Sequence, residues 1–173
     1  MTSQNPSIAI ASVRSPVGEI LFAADEKALL ALEFADFEAR LMAGLRARFG
    51  KISPRRAKDP LGIATRLSAY LAGDFAALDE IPVDPGGTPF QRRVWRALRR
   101  IPAGRTWSYG QMARKLGKPT ALRAVGHANG RNPISIVVPC HRLIGTDGSL
   151  TGYGGGLARK RWLLEHEGAK LDV

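Results

Sequence analysis

The 173-residue sequence predicts an α/β N-terminal domain, an antiparallel sheet plus helices, followed by a mostly α C-terminal domain containing a helix-turn-helix. Three observations carry this. Short apolar segments punctuated by turn residues come first and give way to apolar residues at helical spacing. The charge balance changes in mid-chain: residues 1–84 carry 10 Lys/Arg and 11 Asp/Glu, and residues 85–173 carry 16 and 4. Beyond that change, two short helical patterns flank Gly117-Lys118-Pro119. The expected domains are therefore an α/β scaffold over 1–84 and a helix-turn-helix domain over 85–173.

In order, Ile8–Val13, Glu19–Ala24 and Ala28–Phe34 read as strands of an antiparallel meander, separated by Ser15-Pro16-Val17-Gly18 and Asp25-Glu26-Lys27. Phe37, Leu41, Leu45 and Phe49 repeat at helical spacing, and Gly50 ends that helix. Leu61–Leu71 reads as a second helix closed by Gly73. No His/Asp/Glu group in this half has ligand spacing, so its expected role is scaffolding. Pro82–Gly87 reads as a linker. Thr88-Pro89-Phe90-Gln91 then starts a helix running to about Arg100, with a capping hydroxyl, proline at the first helical position and glutamine three residues after the cap. Phe90, Val94, Ala97, Leu98 and Ile101 form its inner face, with Arg92, Arg93, Arg96, Arg99 and Arg100 mostly outward.

Ser108-Tyr109-Gly110-Gln111 offers another capping box for a short helix ending at Gly117, and Pro119-Thr120 opens a second helix through about Asn129. The β-branched run between Pro133 and Pro139 reads as a buried strand leading into Cys140-His141-Arg142. Thr146–Ser149 is a turn and Gly152-Tyr153-Gly154-Gly155-Gly156 a flexible loop. That loop lacks the lysine and hydroxyl of a phosphate loop. A final helix, Leu157–Glu167, has Leu157, Trp162, Leu163 and Leu164 available for packing, with Gly168 as its stop.

A single cysteine excludes an internal disulfide and a multi-cysteine zinc site, and fits a reducing cytoplasm. Met1–Pro6 has no basic-then-apolar leader pattern, and no apolar run reaches membrane-spanning length. Between Asp84 and Asp147 there is no acidic residue, while 12 Arg/Lys fall there. With Trp95, Trp107 and Tyr109 interleaved, the window fits a polyanion, nucleic acid first. Cys140 lies inside it. As a thiolate it is a nucleophile, and His141, Arg142 and the basic surroundings favour ionisation. The plainer reading of an isolated cysteine is a small buried hydrophobe.

The motifs Pro139-Cys140-His141-Arg142, Arg131-Asn132-Pro133, Arg123-Ala124-Val125-Gly126 and Leu164-Glu165-His166-Glu167-Gly168, in this order, resemble the O6-alkylguanine-DNA alkyltransferases. The resemblance runs from Thr88 to Gly168 and is looser before it. It implies DNA repair by direct reversal: an O6-alkylguanine, and by extension an O4-alkylthymine, is flipped from duplex DNA and its alkyl group passes irreversibly to Cys140 in a single-turnover reaction. The partner is duplex DNA bound through the minor groove, by a monomer with cooperative binding left open. No cofactor, metal or membrane is implied.

Carried onto this chain, the resemblance makes Cys140 the acceptor, His141 its base through a water and Glu167 the group that holds His141. Tyr109 would contact the flipped nucleotide's phosphate and supply a proton toward guanine O6. Arg123 would be the finger that fills the vacated stack, with Ala121, Ala124 and Gly126 completing the DNA-binding face. Val138 through its carbonyl, Tyr153, Gly154 and Gly155 would form the guanine pocket, and Asn132 would brace the turn before the active-site strand. Gly154 stands where some members carry a serine, and His127 is bulkier than expected there. No N-terminal Cys/His set exists to build the structural zinc of some relatives. Two other classes compete: a non-catalytic alkylated-DNA-binding module with Cys140 inert, and a cysteine hydrolase using Cys140, His141 and Glu167. Turnover number separates the hydrolase from suicide transfer.

Overall fold

The computed structural model of the chain describes residues 5–171; the opening of the polar Met1–Pro6 segment, residues 1–4, lies outside them. The described residues gather into two compact units divided after Gly86.

In the first unit, β1 (Ala9–Val13), β2 (Ile20–Ala24) and β3 (Leu29–Phe34) pair antiparallel as a meander. β2 and β3 are buried along their whole length. A sheet covered on both faces explains why they read as unbroken apolar runs. On one side Ile10, Leu21, Ala23 and Leu30 pack with Leu41 and Leu45 of α1 (Glu38–Phe49). The helix α2 (Ile63–Leu71), burying Ile63, Leu67 and Tyr70, lies against β1. A two-residue strand, β4 (Arg55–Arg56), adds to β1 in parallel, giving the order β3-β2-β1-β4. Its arginines are exposed and carry no apolar pattern, so sequence reading passes over it.

The expected linker at Pro82–Gly87 is only partly free. Leu29 N–H donates to the Pro82 carbonyl at 2.8 Å and Asp84 N–H to the Leu29 carbonyl at 2.9 Å, stitching this stretch onto the edge of β3. Arg48 adds bonds to the Asp84 carbonyl and carboxylate, both at 2.6 Å.

The second unit is helical. α3 (Pro89–Leu98) and α4 (Tyr109–Lys115) each begin with a complete capping box, Thr88 with Gln91 and Ser108 with Gln111. Gly117, at φ 71°, turns the chain after α4, and α5 (Leu122–Gly130) follows. α5 packs on both α3 and α4. The Trp95 indole N–H donates to the Ala128 carbonyl at 2.8 Å, so Trp95 belongs to the core that joins α3 to α5 and offers no face to a polyanion. Phe90 and Ala97, expected inside, are half-buried. A short parallel pair, β5 (Trp107–Ser108) with β6 (Leu143–Ile144), ties the start of α4 to the segment after Cys140. The last helix, α6 (Leu157–His166), buries Lys160, Leu163 and Leu164, while Leu157, expected to pack, is exposed.

The predicted strand from Pro133 to Pro139 is absent. The segment is a coiled turn in which Val138 N–H donates to the Ile134 carbonyl at 3.1 Å and Val137 N–H to the Ser135 carbonyl at 2.8 Å. Ile136 adopts φ 71°, a conformation that β-branched residues avoid. The residues are buried as expected, but apart from a single bridge at Ile134 they join no ladder among the described residues. Apolarity alone does not separate a buried strand from a buried coil.

Candidate active site at the Cys140 turn

The Asn132 side chain organises the turn. Its Oδ1 accepts from Ile134 N–H at 3.0 Å, and its Nδ2 donates to the Ile134 and Val138 carbonyls at 3.3 and 2.8 Å. Supplying backbone partners from a side chain lets this segment be buried without a sheet. Asn129, at the end of α5, donates through Nδ2 to the Cys140 carbonyl at 3.3 Å. The helix that follows Gly117 is thereby bonded to the residue bearing the thiol.

Cys140, 6% exposed, opens a single 3-10 turn, Cys140–Arg142. Behind it lies a buried cluster of charge. His141 is fully buried, and its Nε2 meets Glu167 Oε1 at 2.9 Å. Arg142 grips the same carboxylate with both arms, Nε to Oε2 at 2.9 Å and Nη2 to Oε1 at 2.8 Å, while Nη1 donates to the Ile101 carbonyl at 2.6 Å. Burial would raise the Glu167 carboxyl; the hydrogen bonds it accepts from His141 and Arg142, with the Arg142 charge, more than reverse this and hold it far below the usual carboxylate range. Burial lowers the His141 pKa, with Glu167 only partly offsetting it, so the imidazole is neutral at neutral pH. An ionised carboxylate can only accept, so Nε2 carries the proton. Nδ1 is left with a basic lone pair, buried and without a hydrogen-bond partner among the described residues.

Lys160 is the residue that sequence reading missed. Wholly buried on α6, it donates to the Leu143 carbonyl at 2.6 Å and the Thr151 carbonyl at 2.8 Å, fastening the entrance of the glycine loop to the strand that follows the Cys140 turn. Burial lowers its pKa to about 8, against an opposing attraction to Cys140. The signal was in the spacing: Lys160, Leu163, Leu164 and Glu167 follow i, i+3, i+4, i+7, the inward stripe of one helix.

Of the other candidates, Tyr109 is half-buried at the start of α4, and a Cβ added at Gly126 would stand 3.8 Å from its ring. That is ordinary van der Waals contact, so Gly126 borders the Tyr109 ring. Arg123 and Ala124 are exposed on α5 and Ala121 is half-buried at its start. The Val138 carbonyl, expected to face a bound base, already accepts from Asn132 Nδ2 and from Cys140 N–H at 2.8 Å each, which uses both lone pairs. Val138 instead contributes a buried side chain. In the glycine loop Tyr153 is half-buried, Gly154 exposed and Gly155 buried, with the Gly155 carbonyl accepting from Arg159 at 3.3 Å. The structure brings Cys140, His141, Arg142, Glu167, Asn132 and Val138 into one bonded cluster, and Tyr109 and Gly126 into another.

Residues 89–169 match the family model of the 6-O-methylguanine DNA methyltransferase DNA-binding domain. A methylated-DNA–protein-cysteine methyltransferase of Shigella flexneri is 48% identical over 162 residues, covering 92% of this chain and 95% of its own. One from Methanosarcina acetivorans is 43% identical over 155 residues, covering 90% and 95%. The O6-methylguanine methyltransferase crystal structure from Mycobacterium tuberculosis superposes with a TM-score of 0.77 at 41% identity, covering 93% of each chain. An OGT of the same species in complex with DNA gives 0.74 at 40% identity, covering 92% of each. With identity of this order over nearly the whole length, the chain belongs to the methylated-DNA–protein-cysteine methyltransferase family.

Proposed function

We propose that this protein repairs DNA by moving the alkyl group of O6-alkylguanine onto Cys140, irreversibly and once per molecule. The observation that carries this reading is the neutral, buried His141 with a free Nδ1 beside the thiol-bearing residue, held by a Glu167 that is itself locked by Arg142. His141 takes the thiol proton at Nδ1 through a bridging water. Neighbouring side chains on an extended chain point apart, and a tight turn narrows that gap without closing it. The thiolate displaces guanine from the saturated carbon: the S–C bond forms as the C–O6 bond breaks, and the electron pair goes to O6. Guanine leaves as a neutral base when protonated, and in this reading Tyr109, half-buried at the start of α4, supplies that proton.

Attack at this carbon is impossible inside a stacked helix, so the base must be extruded, at a cost of about a few kcal/mol. In this reading Arg123, exposed on α5, enters from the minor groove and fills the gap, with Ala121, Ala124 and Gly126 as the small-residue surface that close approach needs. Tyr153, Gly154 and Gly155 border the pocket for the extruded base. An O4-alkylthymine presents the same saturated carbon on an exocyclic oxygen and is the natural second substrate. The test is intact mass after incubation with duplex DNA carrying one O6-methylguanine. One added methyl per chain, absent in Cys140→Ala, is expected. Retained DNA binding without a mass change refutes transfer and leaves a damage-binding module.

A further inference from the structure

Arg93, Arg96 and Arg100 recur at i, i+3 and i+7 around Ala97 on α3 and, with Lys115, Leu116 and Trp107, line a surface groove of about 610 Å³. We propose that this groove binds a second stretch of duplex DNA by its phosphodiester backbone, apart from the stretch that carries the lesion. The proposal rests on the DNA-repair reading above and extends it to a second contact.

Orientation separates the two surfaces. The opposite side of α3 buries Val94, Trp95 and Leu98, and Trp95 bonds Ala128 of α5. The groove therefore faces away from the α5 surface that presents Arg123. Charge specifies the ligand. Lys115 Nζ sits 4.6 Å from the Trp107 ring centroid, fixing a fourth cation at the rim. None of Arg93, Arg96, Arg100 and Lys115 makes an ion pair among the described residues, and residues 85–146 contain no carboxylate. Like charges at helical spacing repel one another, and a bound anion removes that repulsion. From Arg93 to Arg100 the helix rises about 10 Å, long enough to set its guanidinium groups against more than one phosphate of a strand. Guanidinium groups suit phosphate oxygens in geometry as well as charge.

Arg93 also donates to the Leu116 carbonyl at 2.8 Å, so the test leaves it in place. Arg96→Gln/Arg100→Gln and Arg96→Glu/Arg100→Glu are compared with the unaltered chain in three measurements: methyl transfer from a short lesion duplex, the salt dependence of affinity for a long undamaged duplex, and protein-mediated capture of a second duplex on an immobilised lesion duplex. Transfer from the short duplex should stay within about twofold, the slope of log affinity against log salt on the long duplex should fall by about 2 at about 0.9 per lost contact, and capture should disappear, most completely with Glu. Unchanged slope and capture in both variants overturn the proposal. So does a fall in short-duplex transfer in step with binding, which makes the groove part of the lesion-binding face. An unaltered chain that bridges duplexes but gains no methyl defeats the repair reading and upholds the groove.

Discussion

Replacing Glu167 by Gln removes one negative charge from a site where it faces two partners. The amide keeps the shape and its oxygen, in place of Oε1, can still accept from His141 Nε2 and Arg142 Nη2, but the buried Arg142 loses the opposite charge and the 2.9 Å bond from Nε to Oε2, where an NH2 now faces it. Stripping one partner from a buried ion pair costs about 3–5 kcal/mol, because the other charge stays desolvated. For a chain of this length that lowers the melting temperature by about 6–20 °C. The pH dependence follows from the depressed Glu167 pKa. Its contribution is fully present above the ordinary carboxylate value of 4.5 and declines as pH falls below it, since the unfolded chain takes up the proton first. The stability gap between wild type and Glu167→Gln, read by thermal melts from pH 7 to pH 3, should therefore be flat and then narrow in acid. Glu167→Gln/Arg142→Met should recover much of the stability, since removing both charges is close to neutral, without recovering methyl transfer. A melting shift below about 2 °C at pH 7, or a gap that widens in acid, would refute the electrostatic account.

His141→Phe should fold and bind DNA yet transfer methyl about 10²–10⁴-fold more slowly, measured by single-turnover kinetics. In the wild-type protein the lowered His141 pKa keeps the base unprotonated down to its ordinary value of 6.5 and below, so the acid limb of the transfer rate should lie under pH 6.5; a midpoint above 7 contradicts a buried neutral imidazole. Gly104 holds φ 83°, and a Cβ there would stand 2.8 Å from the Glu167 carbonyl oxygen, so Gly104→Ala should displace the end of α6, destabilise by more than about 1 kcal/mol and slow transfer. Asn132→Ala strands the buried Ile134 N–H and leaves the Ile134 and Val138 carbonyls with one donor each, from Val138 N–H and Cys140 N–H; at about 1–3 kcal/mol for an unsatisfied group, denaturant titration should show that single-group loss.

What the sequence made legible was local. The two capping boxes, the glycine stops and the three-strand meander follow from rules a few residues long, and each stands where those rules put it. The Pro133–Pro139 turn escaped because the same β-branched residues serve a ladder or a buried coil; the deciding partner, Asn132, acts from outside the apolar run. Trp95 escaped because charged neighbours on its helix drew attention to the face it does not occupy. In the site, Cys140 as a nucleophile beside His141 was legible from the residues themselves, while the role of His141 as base and that of Glu167 came through the resemblance. The grip of Arg142 on Glu167 and the burial of Lys160 join residues 25 and 17 positions from their partners, and such pairings become visible only when the turn and α6 are packed together.

On the proposed reading, the features that fit Cys140 for attack also make the reaction terminal. Sulfur is nearly enclosed, its backbone is tied to Asn129, and Lys160 lies in electrostatic contact with it. Before transfer, that attraction offsets part of what burying Lys160 costs. Afterwards the sulfur is a neutral thioether, so the lysine is as deeply buried with less to compensate it. The added carbon must also be accommodated beside the packed Ile134–Pro139 turn, at about 1–3 kcal/mol for overpacking of this kind. Both changes destabilise the product. Neither is reversible, because His141 can remove a proton but cannot hydrolyse a carbon–sulfur bond. A site built to regenerate its thiol would need room for a second nucleophile at that carbon. The base that enters and departs vacates such room, so the stability of the thioether carbon–sulfur bond, rather than burial, ends the reaction.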